Sequence, residues 1–347
     1  MDAIPIILLL SKSLGGCSMP AVTPERWTDL PRLADAPDHL LDRAVEHIVT
    51  APSLLEGAGF PIRRPWPSRE IGFRQADPFL LLDHMGAVEY APGEAKGAPW
   101  HPHRGFETVT YIIDGAFEHH DSQGGGGYIS NGDTQWMTAG SGILHDEMPP
   151  DELVDTGGLF HGIQLWVNLP QKLKWTPPRY QSLESSLVTL VASQAGDALV
   201  RIIAGELGGF RGPGVTWTPI TVIHATLEAS AKVRLAWPSH FNALSYVLEG
   251  TGTVGGAGVM VREGQGIEFG SGGALTVATG PTPEGPHHRL ELLIMGGVPI
   301  NEPIASYGPF VMNTHADIVK AFEDYQSGRM GTVPATRMRS THEPRHS

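Results

Sequence analysis

Two short words in this 347-residue chain carry side chains suited to chemistry: His101-Pro102-His103 and His145-Asp146-Glu147. In a β-strand, residues i and i+2 project from the same face. His101 and His103 can therefore project together, and so can His145 and Glu147. If the two words lie on neighbouring strands of one barrel, four ligands converge on its interior. Three imidazoles and one carboxylate suit a divalent transition metal with coordination positions left open. Nitrogen plus carboxylate ligation without thiolate makes iron(II) the first expectation. Manganese, nickel, copper and zinc stay open, because this ligand set does not enforce one metal. With 16 histidines in the chain, a lone H-x-H word carries little. The second word comes 42 residues after His103, behind the turn-rich apolar run Trp136 to Leu144. It is the two words together that point to a metal site in a barrel.

The surrounding sequence supplies strands to hold such a site. Phe106 to Ile113 is rich in β-branched and aromatic residues and ends at Asp114-Gly115, a hairpin signal. Pro78 to Leu82 reads as a buried strand upstream. Gly124–Gly127 lacks the Lys-Ser/Thr ending of a phosphate loop and reads as a loop between strands. An internal repeat is visible: Tyr111-Ile-Ile-Asp-Gly115 recurs as Tyr246-Val-Leu-Glu-Gly250, an offset of 135. Asn131-Gly-Asp133 recurs as Glu263-Gly-Gln265, an offset of 132. The fold class expected is all-β, two related units joined through Pro170 to Leu187. A short helix is expected around Leu40–Val49, where Leu40, Leu41, Val45, Ile48 and Val49 fall at roughly helical spacing and Pro52 sets a limit. A closing helix is expected after Thr314, capped with Asp317 and carrying Ile318, Phe322 and Tyr325 as its apolar stripe until Gly328. The expected division is an N-terminal extension over 1–56, partly disordered, a first unit over 57–182, a second over 183–331 and a disordered tail over 332–347.

Composition narrows the function classes. Charged residues make up 18% and hydrophobic residues 41%, so disorder of the whole chain is excluded. Gly 43 and Pro 29 favour many short strands joined by turns. A net charge of −13 without a basic cluster argues against direct nucleic-acid binding and against anionic membrane surfaces. The single cysteine, Cys17, excludes an internal disulfide and a thiolate zinc site and fits a reducing, cytoplasmic setting. The apolar run Ile4 to Leu10 is too short to span a bilayer. Leu14 to Cys17 resembles a lipoprotein cleavage box, but no Lys or Arg precedes the apolar run, which makes export the minor reading. Met19 is an alternative start.

The longer words around these residues resemble the pirin family. They are His101 to Tyr111, Gly132 to Pro149 and Gln164 to Leu169, with Asp77 to Asp83 upstream and Asn301 to Asn313 and Asp324 to Gly328 downstream. The resemblance runs from about 60 to 331 in family order. It implies a bicupin, two β-barrel units with a C-terminal helix, and one metal, usually iron, in the first. The family's ligand positions fall on His101, His103, His145 and Glu147. Glu107 stands where the first cupin motif has its glutamate and is read as supporting the ligands from behind. Arg104 and Glu107 would orient ligands or close the pocket, or form a surface ion pair. Phe106, Trp136, Met137 and Leu144 are candidates to line the pocket, or ordinary core. Under the repeat offsets, Ala236, Pro238, Val277 and Thr279 replace the four ligands in the second unit, so one metal per chain is expected. His240 alone and the adjacent His287 and His288 do not build a second site.

Several pirins resemble quercetin 2,3-dioxygenases, which implies opening of a flavonol ring with dioxygen; Glu147 would be the base for the hydroxyl proton if it leaves the metal transiently. The rival is a metal-bearing regulatory module whose acidic surface docks on a basic protein partner. A cupin isomerase or hydrolase is a third option. A monomer is expected.

Overall fold

The structure is a computed structural model, and it describes residues 22–286 and 288–333. The apolar run at 4–10, Cys17, Met19, His287 and the tail histidines lie outside the described residues. Among the described residues no helix is long and apolar enough to cross a membrane.

The chain opens with β1 (Arg32–Leu33) and β2 (Val45–Thr50) and then builds its first unit. That unit comprises β3 (Ser53–Glu56), β4 (Phe60–Trp66), α1 (Phe73–Ala76), β5 (Phe79–Tyr90), β6 (Ala98–His103) and β7 (Phe106–Asp114). It continues through β8 (Ala116–Asp121), β9 (Gly126–Ser130), β10 (Thr134–Thr138), β11 (Ile143–Met148), α2 (Asp151–Thr156), β12 (Gly158–Asn168) and β13 (Arg179–Leu183). A seven-stranded sheet in the order β13-β10-β7-β12-β5-β4-β3 faces a four-stranded one in the order β6-β11-β8-β9. Ile62, Met85 and Ile112 of the larger sheet pack with Phe117 and Ile129 of the smaller. The Asp114-Gly115 turn needs glycine: φ is +88° and a Cβ there would lie 2.6 Å from the Leu159 carbonyl oxygen.

The second unit repeats the pattern with β14 (Thr189–Ser193), β15 (Ala198–Ala204), the hairpin β16 (Glu206–Leu207) and β17 (Phe210–Arg211), then β18 (Ile220–Leu227), β19 (Lys232–Ala236) and β20 (Asn242–Glu249). It ends with β21 (Thr251–Val254), β22 (Val259–Arg262), β23 (Gln265–Phe269), β24 (Ala274–Ala278) and β25 (Leu290–Gly297). Its small sheet, β19-β24-β21-β22, has the strand order of β6-β11-β8-β9. The repeated tyrosines occupy matching places on β7 and β20, and each crosses to the other unit. The Tyr111 hydroxyl is 3.0 Å from His224 Nδ1, and the Tyr246 hydroxyl is 3.0 Å from His84 Nδ1. A joint apolar core including Trp66, Trp136, Ile163, Tyr246 and Leu293 surrounds these contacts.

Two expectations about the strands are corrected. Residues 45–50 form a strand rather than part of a helix, pairing antiparallel with β23 at the edge of the second unit's large sheet. Val45, Ile48 and Val49 are β-branched and favour that state. A bulge between Val45 and His47 explains why their spacing imitates a helix. Upstream, the Arg43 guanidinium donates to the carbonyls of Gly270, Pro238 and Phe241, and β1 pairs with β14, so this lead-in seals the second unit. The second correction concerns the repeat. His145 pairs with His101 and Ile143 with His103, while Val277 pairs with Val233 and Leu275 with Leu235. Val233 and Leu235, not Ala236 and Pro238, therefore match the two histidines. Five residues separate β19 from β20 where two separate β6 from β7, which shifts the alignment by three.

The chain closes with β26 (Ala305–Tyr307), β27 (Phe310–Met312) and α3 (His315–Gln326), whose capping box of Thr314 and Asp317 is present. The helix buries Ile318, Ala321 and Asp324, while Tyr325 is exposed. Its inner face is rotated from the expected stripe because Asp324 is drawn to Arg104 at 2.8 Å.

Candidate metal centre

The small sheet of the first unit carries the site. On β6 the ring Nδ1 of His101 lies 2.8 Å from the Pro99 carbonyl oxygen, and that of His103 lies 3.1 Å from the Pro309 carbonyl oxygen. A carbonyl only accepts, so both Nδ1 atoms carry the proton and both Nε2 atoms present a bare lone pair. These two Nε2 atoms face each other at 3.1 Å. Two nitrogens each about 2.0–2.1 Å from one cation stand about 2.9–3.4 Å apart, so the spacing fits a shared ion. The third imidazole, His145 on β11, packs its ring 4.3 Å from His101 and 4.9 Å from His103 between centroids. Its Nε2 is buried and has no hydrogen-bond partner. Burial, and then the neighbouring imidazoles, hold His103 and His145 well below the ordinary imidazole range, which keeps them neutral and able to ligate.

Glu147 lies two residues beyond His145. Its Oε1 accepts from Thr110 Oγ1 at 2.7 Å and Gln135 Nε2 at 3.2 Å, and its Oε2 from Gln164 Nε2 at 2.7 Å. Candidate ligand atoms form two overlapping trios, His101 with His103 and His145, and His119 with His145 and Glu147, each trio spanning no more than 4.8 Å. The shared member is His145. The residues fit a divalent metal: two converging lone pairs, one orphaned imidazole nitrogen and a carboxylate with unused lone pairs. His101 is half-buried while His103, His145 and Glu147 are buried, so His101 is the most exposed of the four.

The other predicted residues separate by face. Phe106 packs on His103 at 5.0 Å and on Trp166 at 4.3 Å between centroids. Met137 lies on the same face of β10 as Gln135, beside Ala139 and Ile143. Trp136, one residue off in period, joins the core between the units. Leu144, next to His145, packs instead under α3 with Phe310 and Met312. Glu107 alternates with Phe106 and Thr108 and so turns to the far face of β7. There Thr138 Oγ1 donates to it at 2.6 Å and Arg179 approaches to 4.0 Å. Burial raises Glu107 to about 7. Arg104 does not pair with Glu107 and neither is at the surface; Arg104 holds Asp324 and donates its Nε–H to the Ser141 carbonyl at 2.6 Å.

Sequence reasoning missed His119, Gln135, Gln164, Thr110 and Trp166. Gln135 is fully buried at a strand position where an amide is unexpected, and that oddity was the available signal. A cavity of about 800 Å3 opens in the second unit, lined by Leu207, Val215, Trp237, Pro238 and Phe241 among others; it shares no residue with the histidine cluster.

The arrangement defines a two-unit cupin with a histidine-rich cluster able to hold a metal in its first unit. The Pirin family profile matches residues 60–167, and the Pirin C-terminal cupin domain profile matches residues 222–331. The chain belongs to the pirin family. It is 41% identical over 79% of its length to 93% of a Pseudomonas aeruginosa protein named "Putative quercetin 2,3-dioxygenase". It is 39% identical over 83% of its length to 93% of a tomato (Solanum lycopersicum) pirin-like protein. The crystal structure of a quercetin 2,3-dioxygenase from Acinetobacter baumannii superposes with a TM-score of 0.77 at 36% identity, covering 84% of this chain and 99% of that one.

Proposed function

We propose that this pirin is a metal-dependent dioxygenase of the quercetin 2,3-dioxygenase type, opening a flavonol with dioxygen at one iron(II) held by His101, His103, His145 and Glu147. The observation that carries the reading is the pair of bare Nε2 atoms 3.1 Å apart, beside an unpartnered His145 Nε2. Unmet lone pairs at that distance repel one another unless a cation or proton lies between them. The similarity to a solved quercetin 2,3-dioxygenase over most of both chains supports the substrate class.

A bound iron(II) supplies Lewis acidity toward the flavonol 3-hydroxyl and a redox-active centre. The remaining roles fall to the chain. Glu147 accepts the hydroxyl proton, and Thr110, Gln135 and Gln164 hold its two oxygens in one orientation. Phe106 and Trp166 form an aromatic wall against His103 that keeps water from that flank. The half-buried His101 side admits the substrate.

The test is anaerobic loading with iron(II), addition of quercetin, then admission of oxygen. Loss of the flavonol absorption band is expected. An unchanged band with iron, manganese, nickel and copper alike would remove the dioxygenase reading. A stoichiometric protein partner recovered in that case would favour the docking module.

A further inference from the structure

We propose that His119 is a positioning residue for the metal centre: it takes the Nδ1 proton of His145 into a hydrogen bond and so leaves the His145 Nε2 lone pair to the ion. The inference rests on the metal reading above and deepens it.

Three adjacent strands of the small sheet each turn an i, i+2 pair inward: His101 and His103 on β6, His119 and Asp121 on β8, and His145 and Glu147 on β11. Across the β8–β11 pairing His119 stands opposite Glu147, and Asp121 opposite His145. An imidazole that ligates through Nε2 must carry its proton on Nδ1, and that N–H needs an acceptor. His101 and His103 find theirs in the carbonyls of Pro99 and Pro309. For His145 the Nδ1 contact is with a side chain rather than a carbonyl. His119 Nδ1 lies 3.3 Å from His145 Nδ1, and both residues are fully buried.

The geometry then fixes both tautomers. His145 donates from Nδ1, so His119 accepts at Nδ1 and keeps its own proton on Nε2. That Nε2 has no hydrogen-bond partner and points toward Asp121, whose Oδ2 is 4.0 Å away. Asp121 is held by the backbone N–H groups of Gln123 and Gly125 at its other oxygen. The His119 ring is stacked on Tyr180, with centroids 5.2 Å apart and planes 24° apart, which prevents it from turning away. The word Glu118-His119-His120-Asp121 hides this in sequence, because adjacent histidines face opposite sides and His120 goes outward to Asp146 at 2.9 Å.

The experiment uses the full chain and zinc(II) as the probe metal, with affinity from chelator competition and histidine tautomers from nitrogen-15 NMR. Wild type should bind one zinc, with His145 protonated at Nδ1 and metallated at Nε2. His119→Leu should weaken zinc about 10- to 100-fold. His119→Asn, whose amide oxygen replaces the Nδ1 acceptor, should recover most of that loss. Three results overturn the proposal. One is His119→Leu binding within twofold of wild type. Another is His145 metallated at Nδ1 in wild type, a result that needs no variant to fold. The third is two zinc ions in wild type with one lost in His119→Leu, which would make His119 a ligand of a second ion. Wild type that binds no zinc and no iron would instead defeat the metal reading itself.

Discussion

Removing Asp324 should cost more than a surface carboxylate would, because it strands a buried cation. Arg104 is 3% exposed and Asp324 4%. The Arg104 Nη1 to Asp324 Oδ2 distance is 2.8 Å. Breaking a buried pair by deleting one partner costs about 3–5 kcal/mol. The low end applies, since in Asp324→Ala the guanidinium keeps the Ser141 carbonyl and lies 4.9 Å over the Trp175 ring. The more exposed partners Lys320 and Arg329 add about 0–1 kcal/mol each. We expect a loss of about 3 kcal/mol for Asp324→Ala, read as the shift in urea midpoint at constant slope, pH 7, by tryptophan fluorescence. The double variant Arg104→Met with Asp324→Leu should lie within about 1 kcal/mol of wild type, because an apolar pair replaces an ionic one without leaving a charge behind. A cost below about 0.5 kcal/mol for Asp324→Ala, or the same loss in both variants, would refute the reasoning.

The same carboxylate sets an acid limit. Burial pushes Asp324 up, but the Arg104 and Arg329 contacts outweigh it and hold the group at about 2, against 3.8 unfolded. A depressed carboxylate stabilises the fold above its unfolded value and loses that contribution as pH falls, here between about 4 and 2. The urea-midpoint gap between wild type and Asp324→Ala should therefore narrow across that window and be flat from pH 5 to 8. Tyr246→Phe leaves His84 Nδ1 buried without its partner and should cost about 1–3 kcal/mol in the same assay, and Tyr111→Phe a similar amount at His224. Gly105 has φ +92°, and a Cβ there would lie 2.0 Å from the Val311 carbonyl oxygen. Gly105→Ala should cost more than the roughly 1–2 kcal/mol of left-handed backbone alone. Because the turn follows His103 directly, iron content by elemental analysis should fall with it.

The metal words were readable because a strand repeats every two residues: H-x-H and H-x-E place ligands on one face whatever surrounds them. The repeated tyrosine turns were readable because each marks the end of a strand with a glycine. What escaped depends on pairing across the fold. The strand at 45–50 gains its state from an edge that lies more than 200 residues downstream, and its bulge blurs the two-residue period. Val233 and Leu235 could not be aligned to the histidines without the pairing register, because the longer turn hides the shift. Trp136, Leu144 and Glu107 sit one residue out of phase with inward-facing neighbours, and composition alone does not set that phase. Asp324 lies off the apolar stripe of Ile318, Phe322 and Tyr325, and its burial depends on Arg104, 220 residues away.

The most direct test of the central claim is the iron content of anaerobically loaded, gel-filtered protein, compared between wild type and His103→Ala. One iron per wild-type chain and a small fraction of that in the variant is the predicted result. No bound iron in wild type, or equal iron in both, would contradict a centre built on the converging imidazoles.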